Sequence, residues 1–107
     1  MALPPTVLYV IRMPYFALFY DTSEDFVERR TPHRPHHLAQ IDAAYADGRL
    51  VLAGALKPAG ALLVFNVGSA AEVERFAQTD PYVTSGLVTR WRVQEWAVVV
   101  GEHAVPR

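Results

Sequence analysis

Residues 34–67 read RPHHLAQIDAAYADGRLVLAGALKPAGALLVFNV, and this stretch decides the fold. It opens as a helix, because Leu38, Ile41 and Tyr45 recur at i, i+3 and i+7 while Gln40, Asp42 and Asp47 fall elsewhere. Pro35 is tolerated in the first turn, where no backbone donor is missed. Gly48 supplies the left-handed residue that closes such a helix, and Leu50 to Ala53 resumes as an apolar strand. Gly54 and the segment Lys57, Pro58, Ala59, Gly60 mark a hairpin-like connection to a second run, Ala61 to Val67. A helix followed by two antiparallel neighbouring strands is the expected unit.

Upstream, Val7, Leu8, Tyr9, Val10 and Ile11 have the continuous apolar character of a central strand, ended by Pro14. Tyr15 to Tyr20 is rich in aromatics, and Asp21, Thr22 and Ser23 have turn or helix-start character. Thr22 and Asp25 are spaced as a capping box, so Glu24 to Arg30 is expected either as a short helix before Pro32 or as a flap over a pocket. Residues 14–32 therefore read as an extended connection.

Downstream, Ser69 to Glu72 is a capping box, and the helix after it buries Val73, Phe76 and Ala77 and stops at Asp80 before Pro81. After a turn around Ser85 and Gly86, Trp91 to Val100 reads as a long last strand. The order strand, helix, strand, strand, helix, strand predicts an α+β domain, a ferredoxin-like βαββαβ antiparallel sheet with both helices on one face. Apolar residues on both sides of the outer runs predict that the bare face is covered too, most simply by a second copy in a homodimer.

Composition bounds the function. One domain is expected from 107 residues, and 51% hydrophobic with 20% charged residues is globular rather than disordered. Ten Lys and Arg against eleven Asp and Glu give a net charge of −1, so the field that draws proteins to phosphate backbones or anionic lipid is missing. Nucleic acid and membrane are not expected as partners. The chain has no cysteine, which removes disulfides, thiolate nucleophiles and Cys-based zinc sites. With neither a signal-like start nor an apolar run near the roughly 20 residues that span a bilayer, a cytoplasmic protein is expected.

Chemistry concentrates in two places. Arg34, Pro35, His36, His37 and Leu38 put imidazole at the opening of the first helix, and Asp80, Pro81 and Tyr82 put a carboxylate at the close of the second. Together they suggest a His and Asp acid-base pair. His33, His36 and His37 also have i, i+3 and i+4 spacing suited to zinc or copper, but Pro32 and Pro35 disturb that turn and it lacks an H-E-x-x-H pattern. No metal and no cofactor is expected. Arg34 has the fork of donors that suits a carboxylate, and Tyr82 and Trp96 are candidates to line an aromatic pocket. The glycines never assemble into a phosphate-binding fingerprint.

The chain resembles the YciI-like (YCII-related) proteins of the dimeric α+β barrel superfamily. The resemblance is carried by Tyr9-Val10-Ile11, by Arg34-Pro35-His36-His37-Leu38, by Gly48-Arg49-Leu50 leading to Ala53-Gly54, and by Asp80-Pro81-Tyr82 with Gly86 soon after. The family pattern has its histidine directly before leucine, which maps to His37, and its acidic residue directly before proline, which maps to Asp80. The resemblance implies a catalytic His37 and Asp80 pair, with Arg34, Gly54 and Tyr82 near a small-molecule substrate. A cofactor-free lyase or isomerase is the expected class, working on a small carbonyl-containing or aromatic substrate, with loss of halide from an oxidised aromatic among the reactions. The alternatives are a non-catalytic dimeric ligand-binding or accessory domain and, lower, a cofactor-independent monooxygenase.

Overall fold

The computed structural model describes residues 13–101. Its elements run β1 (Tyr15–Thr22), α1 (Phe26–Arg29), α2 (Arg34–Ala46), β2 (Leu50–Ala55), β3 (Ala61–Asn66), α3 (Ala70–Thr79), α4 (Pro81–Thr84) and β4 (Val88–Trp96). The four strands form one antiparallel sheet in the order β2-β3-β1-β4. β3 lies between β1 and β2, which is the split βαβ arrangement of a ferredoxin-like α+β fold.

The first strand among the described residues falls in the stretch read as a connection. The run Val7 to Ile11 lies outside the described residues, and the central strand of the described sheet is the aromatic stretch Tyr15–Thr22. Phe16, Leu18 and Tyr20 alternate into the helix-covered core, so this segment obeys the period of two that marks a strand. The expected connection over residues 14–32 thus holds β1 and the short helix α1. Asp25 is the N-cap of α1 but makes no side-chain cap bond, and the Thr22 hydroxyl instead accepts from the Gly60 N–H at 3.3 Å. β4 ends at Trp96, earlier than the Val100 expected, where its pairing with Tyr15 ends.

The apolar stripe expected on α2 is only partly its buried face: Ile41 packs against the core. Leu38 is 40% and Tyr45 66% exposed, and only Ala44 is fully enclosed. The helix turns His37, Gln40 and Ala44 inward, which share one face at i, i+3 and i+7. The Gln40 amide donates to the Phe76 carbonyl at 2.9 Å and to the Thr79 hydroxyl at 3.0 Å, so polar bonds hold α2 against the end of α3. That docking obeys hydrogen-bond satisfaction rather than hydrophobic periodicity.

α3 buries Val73, Phe76 and Ala77 as its period requires, and the Phe76 ring meets Phe65 of β3 edge-on at 5.0 Å. Its capping box is not formed: Ser69 makes no side-chain cap bond, and Glu72 accepts instead from the N–H of Gly68, the residue before the cap, at 3.2 Å. Gly48, at φ 77°, closes α2. Gly60, at φ 92°, lies so close to β1 that a Cβ would stand 2.8 Å from the Tyr20 carbonyl oxygen. Between them these two glycines set where the β2-β3 hairpin starts and how tightly it lies beside β1.

The face of the sheet away from the helices carries Phe19 from β1, Leu62 from β3, Leu52 from β2 and Trp96 from β4, as the strand registers dictate. Leu52 and Trp96 are 62% and 49% exposed, and the Arg92 guanidinium lies 4.1 Å over the Phe19 ring. Among the described residues no helix is long and apolar enough to cross a membrane.

Candidate active site

Asp80 occupies the junction of two helices. As the residue before Pro81 it is kept out of helical geometry, and at φ −67°, ψ 124° it ends α3 and caps α4 at once. One carboxylate oxygen accepts from the Tyr82 N–H at 3.0 Å, and the other accepts from the Tyr20 hydroxyl at 2.7 Å. His37, in the first turn of α2, brings Nδ1 to within 2.8 and 3.0 Å of the two oxygens. Asp80 is fully buried, and the His37 side chain is 12% exposed.

A buried carboxylate is costly unless its lone pairs are filled, and here three donors from β1, α2 and α4 fill them. Because a carboxylate only accepts, the shared proton belongs on His37 Nδ1, and Nε2 is left bare in the neutral ring. Nε2 has no hydrogen-bond partner among the described residues. The ring is also held from its face: Tyr82 stacks on it with centroids 3.8 Å apart and planes 13° from parallel. Phe26 of α1 meets the Tyr82 ring edge-on at 5.1 Å. Imidazole is therefore fixed in plane by Asp80 and in tilt by Tyr82.

The Tyr20 hydroxyl is pushed well above its ordinary pKa, first by burial and then by the charge and hydrogen bond of Asp80. It remains a donor throughout the physiological range. Since the folded state holds this proton where an unfolded chain would lose it, its contribution to stability is complete below about pH 10 and falls as pH rises beyond that. Tyr20→Phe should therefore cost about 1.5–3 kcal/mol at neutral pH, the worth of a hydrogen bond to a charged group, and should flatten the alkaline loss of stability. Denaturant unfolding at neutral and alkaline pH reads both effects.

Beside the pair lies a cavity of about 250 Å³, lined by fifteen residues that include Tyr20, His37 and Tyr82. Of the residues expected at the site, Arg34, Gly54 and Tyr82 all border it, Gly54 on β2 with open space where a Cβ would stand. Trp96 does not. It borders a separate depression with Phe19 and Leu62 on the opposite face of the sheet. Among the described residues no group of three His, Cys, Asp or Glu side chains converges as metal ligands would, and His37 Nδ1 is engaged by Asp80.

Among the bordering residues not expected from sequence are Tyr20, Phe26 and Arg30. These three lie in the stretch read as a connection. Recognising the alternation of Phe16, Leu18 and Tyr20 as a strand would have placed the Tyr20 hydroxyl on the helix side of the sheet.

The fold and the buried pair define a ferredoxin-like α+β domain that holds an oriented histidine beside a small cavity. Residues 13–97 match the YCII-related domain, and the chain belongs to that family. Among solved structures it is similar to 5-chloro-2-hydroxyhydroquinone dehydrochlorinase (TftG) from Burkholderia phenoliruptrix AC1100 in complex with 2,5-dihydroxybenzoquinone. The TM-score is 0.70 at 21% identity, over 85% of this chain and 99% of that one, a likeness of fold. A comparison with curated protein sequences finds no match.

Proposed function

We propose that this protein is a cofactor-free enzyme of lyase type that moves protons on a small oxygenated ring or carbonyl compound. The observation that carries the reading is the Nδ1 contact of His37 with buried Asp80 at 2.8 Å, which leaves the opposite ring nitrogen for the cavity. His37 is the proton-transfer group, Asp80 orients it and stabilises its charged form, and Arg34, Gly54 and Tyr82 border the substrate. The dehydrochlorinase of similar fold supplies the concrete instance.

For a chlorinated trihydroxybenzene the balance needs no outside oxidant. A proton is delivered to the chlorine-bearing carbon, and the C–Cl bond breaks with both electrons leaving on chloride. Two hydroxyl protons are lost, and the ring becomes a hydroxyquinone. A single imidazole serves both directions of transfer, accepting from a hydroxyl and donating to carbon. The test is incubation with 5-chloro-2-hydroxyhydroquinone under nitrogen, with chloride and quinone measured together. Stoichiometric release supports the reading, and saturable binding without product would replace it with a binding domain.

We also propose a homodimer in which the sheet face bearing Phe19, Leu52, Leu62 and Trp96 is covered by the same face of a second copy. Support comes from the apolar character of that face and from the exposure of Leu52 and Trp96 in a single chain. Light scattering should give twice the mass of the chain, and Leu52→Glu should shift it toward one. A monomer at micromolar concentration would contradict this.

A further inference from the structure

Resting on the proposed active site, we propose that Arg30 and Arg34 form a two-guanidinium clamp that makes the cavity selective for a planar ring carrying ionised oxygens. Both arginines border the cavity, and no Asp or Glu does. The guanidinium ion pairs among the described residues use Arg29 with Asp25 and Arg49 with Asp47, so neither clamp residue has a carboxylate partner there. Asp80, the nearest acid to His37, is fully buried and occupied by its own donors. The space beside the imidazole therefore carries two guanidinium charges against the single buried carboxylate of Asp80, and the ligand that completes it is an anion.

Arg30 is held in place. Its guanidinium carbon lies 5.8 Å over the Phe26 ring, Phe26 meets Tyr82 at 5.1 Å, and Tyr82 stacks on His37 at 3.8 Å. Arg34 follows one turn on, its backbone N–H donating to the Arg30 carbonyl at 2.8 Å. The charges of both residues reach Tyr82 and oppose the upward push of burial on its hydroxyl. Benzene fits a cavity of about 150 Å³, so about 250 Å³ takes a ring with its oxygens. Leu38, Ile41 and Leu63 supply the apolar wall against which such a ring lies flat.

The experiment is calorimetric titration with 2,5-dihydroxybenzoquinone, whose two acidic hydroxyls are ionised at neutral pH, and with its uncharged dimethyl ether. The parent protein, Arg30→Met, Arg34→Met and Arg30→Gln are compared after circular dichroism confirms that each is folded. The dianion should bind at least about tenfold more tightly than the ether, and each arginine variant should lose about tenfold for the dianion and little for the ether. Undetectable binding of the dianion, equal binding of the two compounds, or unchanged affinity in the folded variants of either arginine would overturn the clamp. The proposed chemistry fails separately: a parent protein that binds the dianion through both arginines yet releases no chloride from the chlorinated ring keeps the clamp and loses the lyase.

Discussion

Replacing His37 by alanine should reduce turnover of a chlorinated hydroxyhydroquinone by about a hundredfold to ten-thousandfold, the usual worth of a positioned acid-base group. The loss should appear in kcat, with KM nearly unchanged, because the ring moves a proton and the arginines hold the anion. His37→Ala takes one of three donors from Asp80 and so costs some stability, but the space it vacates opens to the cavity, where water can replace the lost donor, and circular dichroism should show the variant folded. His37→Gln separates the two roles: its amide can still donate toward Asp80, but it cannot shuttle a proton. Steady-state chloride release for the parent and both variants is the measurement. A His37→Ala protein that retains more than about a tenth of the parental kcat would remove His37 from the chemistry.

The second large effect is on stability. Asp80→Ala should cost about 3–5 kcal/mol, since removing one member of a buried charged cluster strands its partners. The stranded groups are the Tyr20 hydroxyl, the His37 Nδ1–H and the Tyr82 N–H, which belong to three different elements. Asp80→Asn should cost less. Its carbonyl can accept from one donor, and the Tyr20 hydroxyl can rotate to accept from the amide. Chemical denaturation reports both variants, and an Asp80→Ala midpoint equal to that of the parent would mean that the carboxylate does not join β1, α2 and α4 in solution.

Much of the site was legible in the sequence, because its residues stand at chain punctuation. Asp80 precedes Pro81, and that dipeptide alone fixes a helix end with a side chain free to cap the next helix. Gly48 closes α2 for the reason its place after the helical run suggests. Tyr20 was hidden because strand β1 is almost wholly apolar, with aromatics on both faces, and the run from Val7 to Ile11 offers a stronger β-branched signal. α2 misled in a different way. Of its apolar residues, Ile41 packs on the core, Leu38 borders the cavity at 40% exposure and Tyr45 is left outside, while His37 and Gln40 turn in, so hydrophobic periodicity reported only part of the buried face. A helix that presents an imidazole to a carboxylate gives up part of its apolar stripe to do so, and local rules fail where function has claimed the buried face.

Asp80 should fix the proton on His37 Nδ1 and leave Nε2 bare. Long-range nitrogen–proton NMR of the imidazole rings reads this directly at a pH where the ring is neutral. The expected result is the Nδ1–H tautomer for His37 in the parent protein, with the Nε2–H form rising in Asp80→Asn. An Nε2–H tautomer in the parent, unchanged by that substitution, would contradict it.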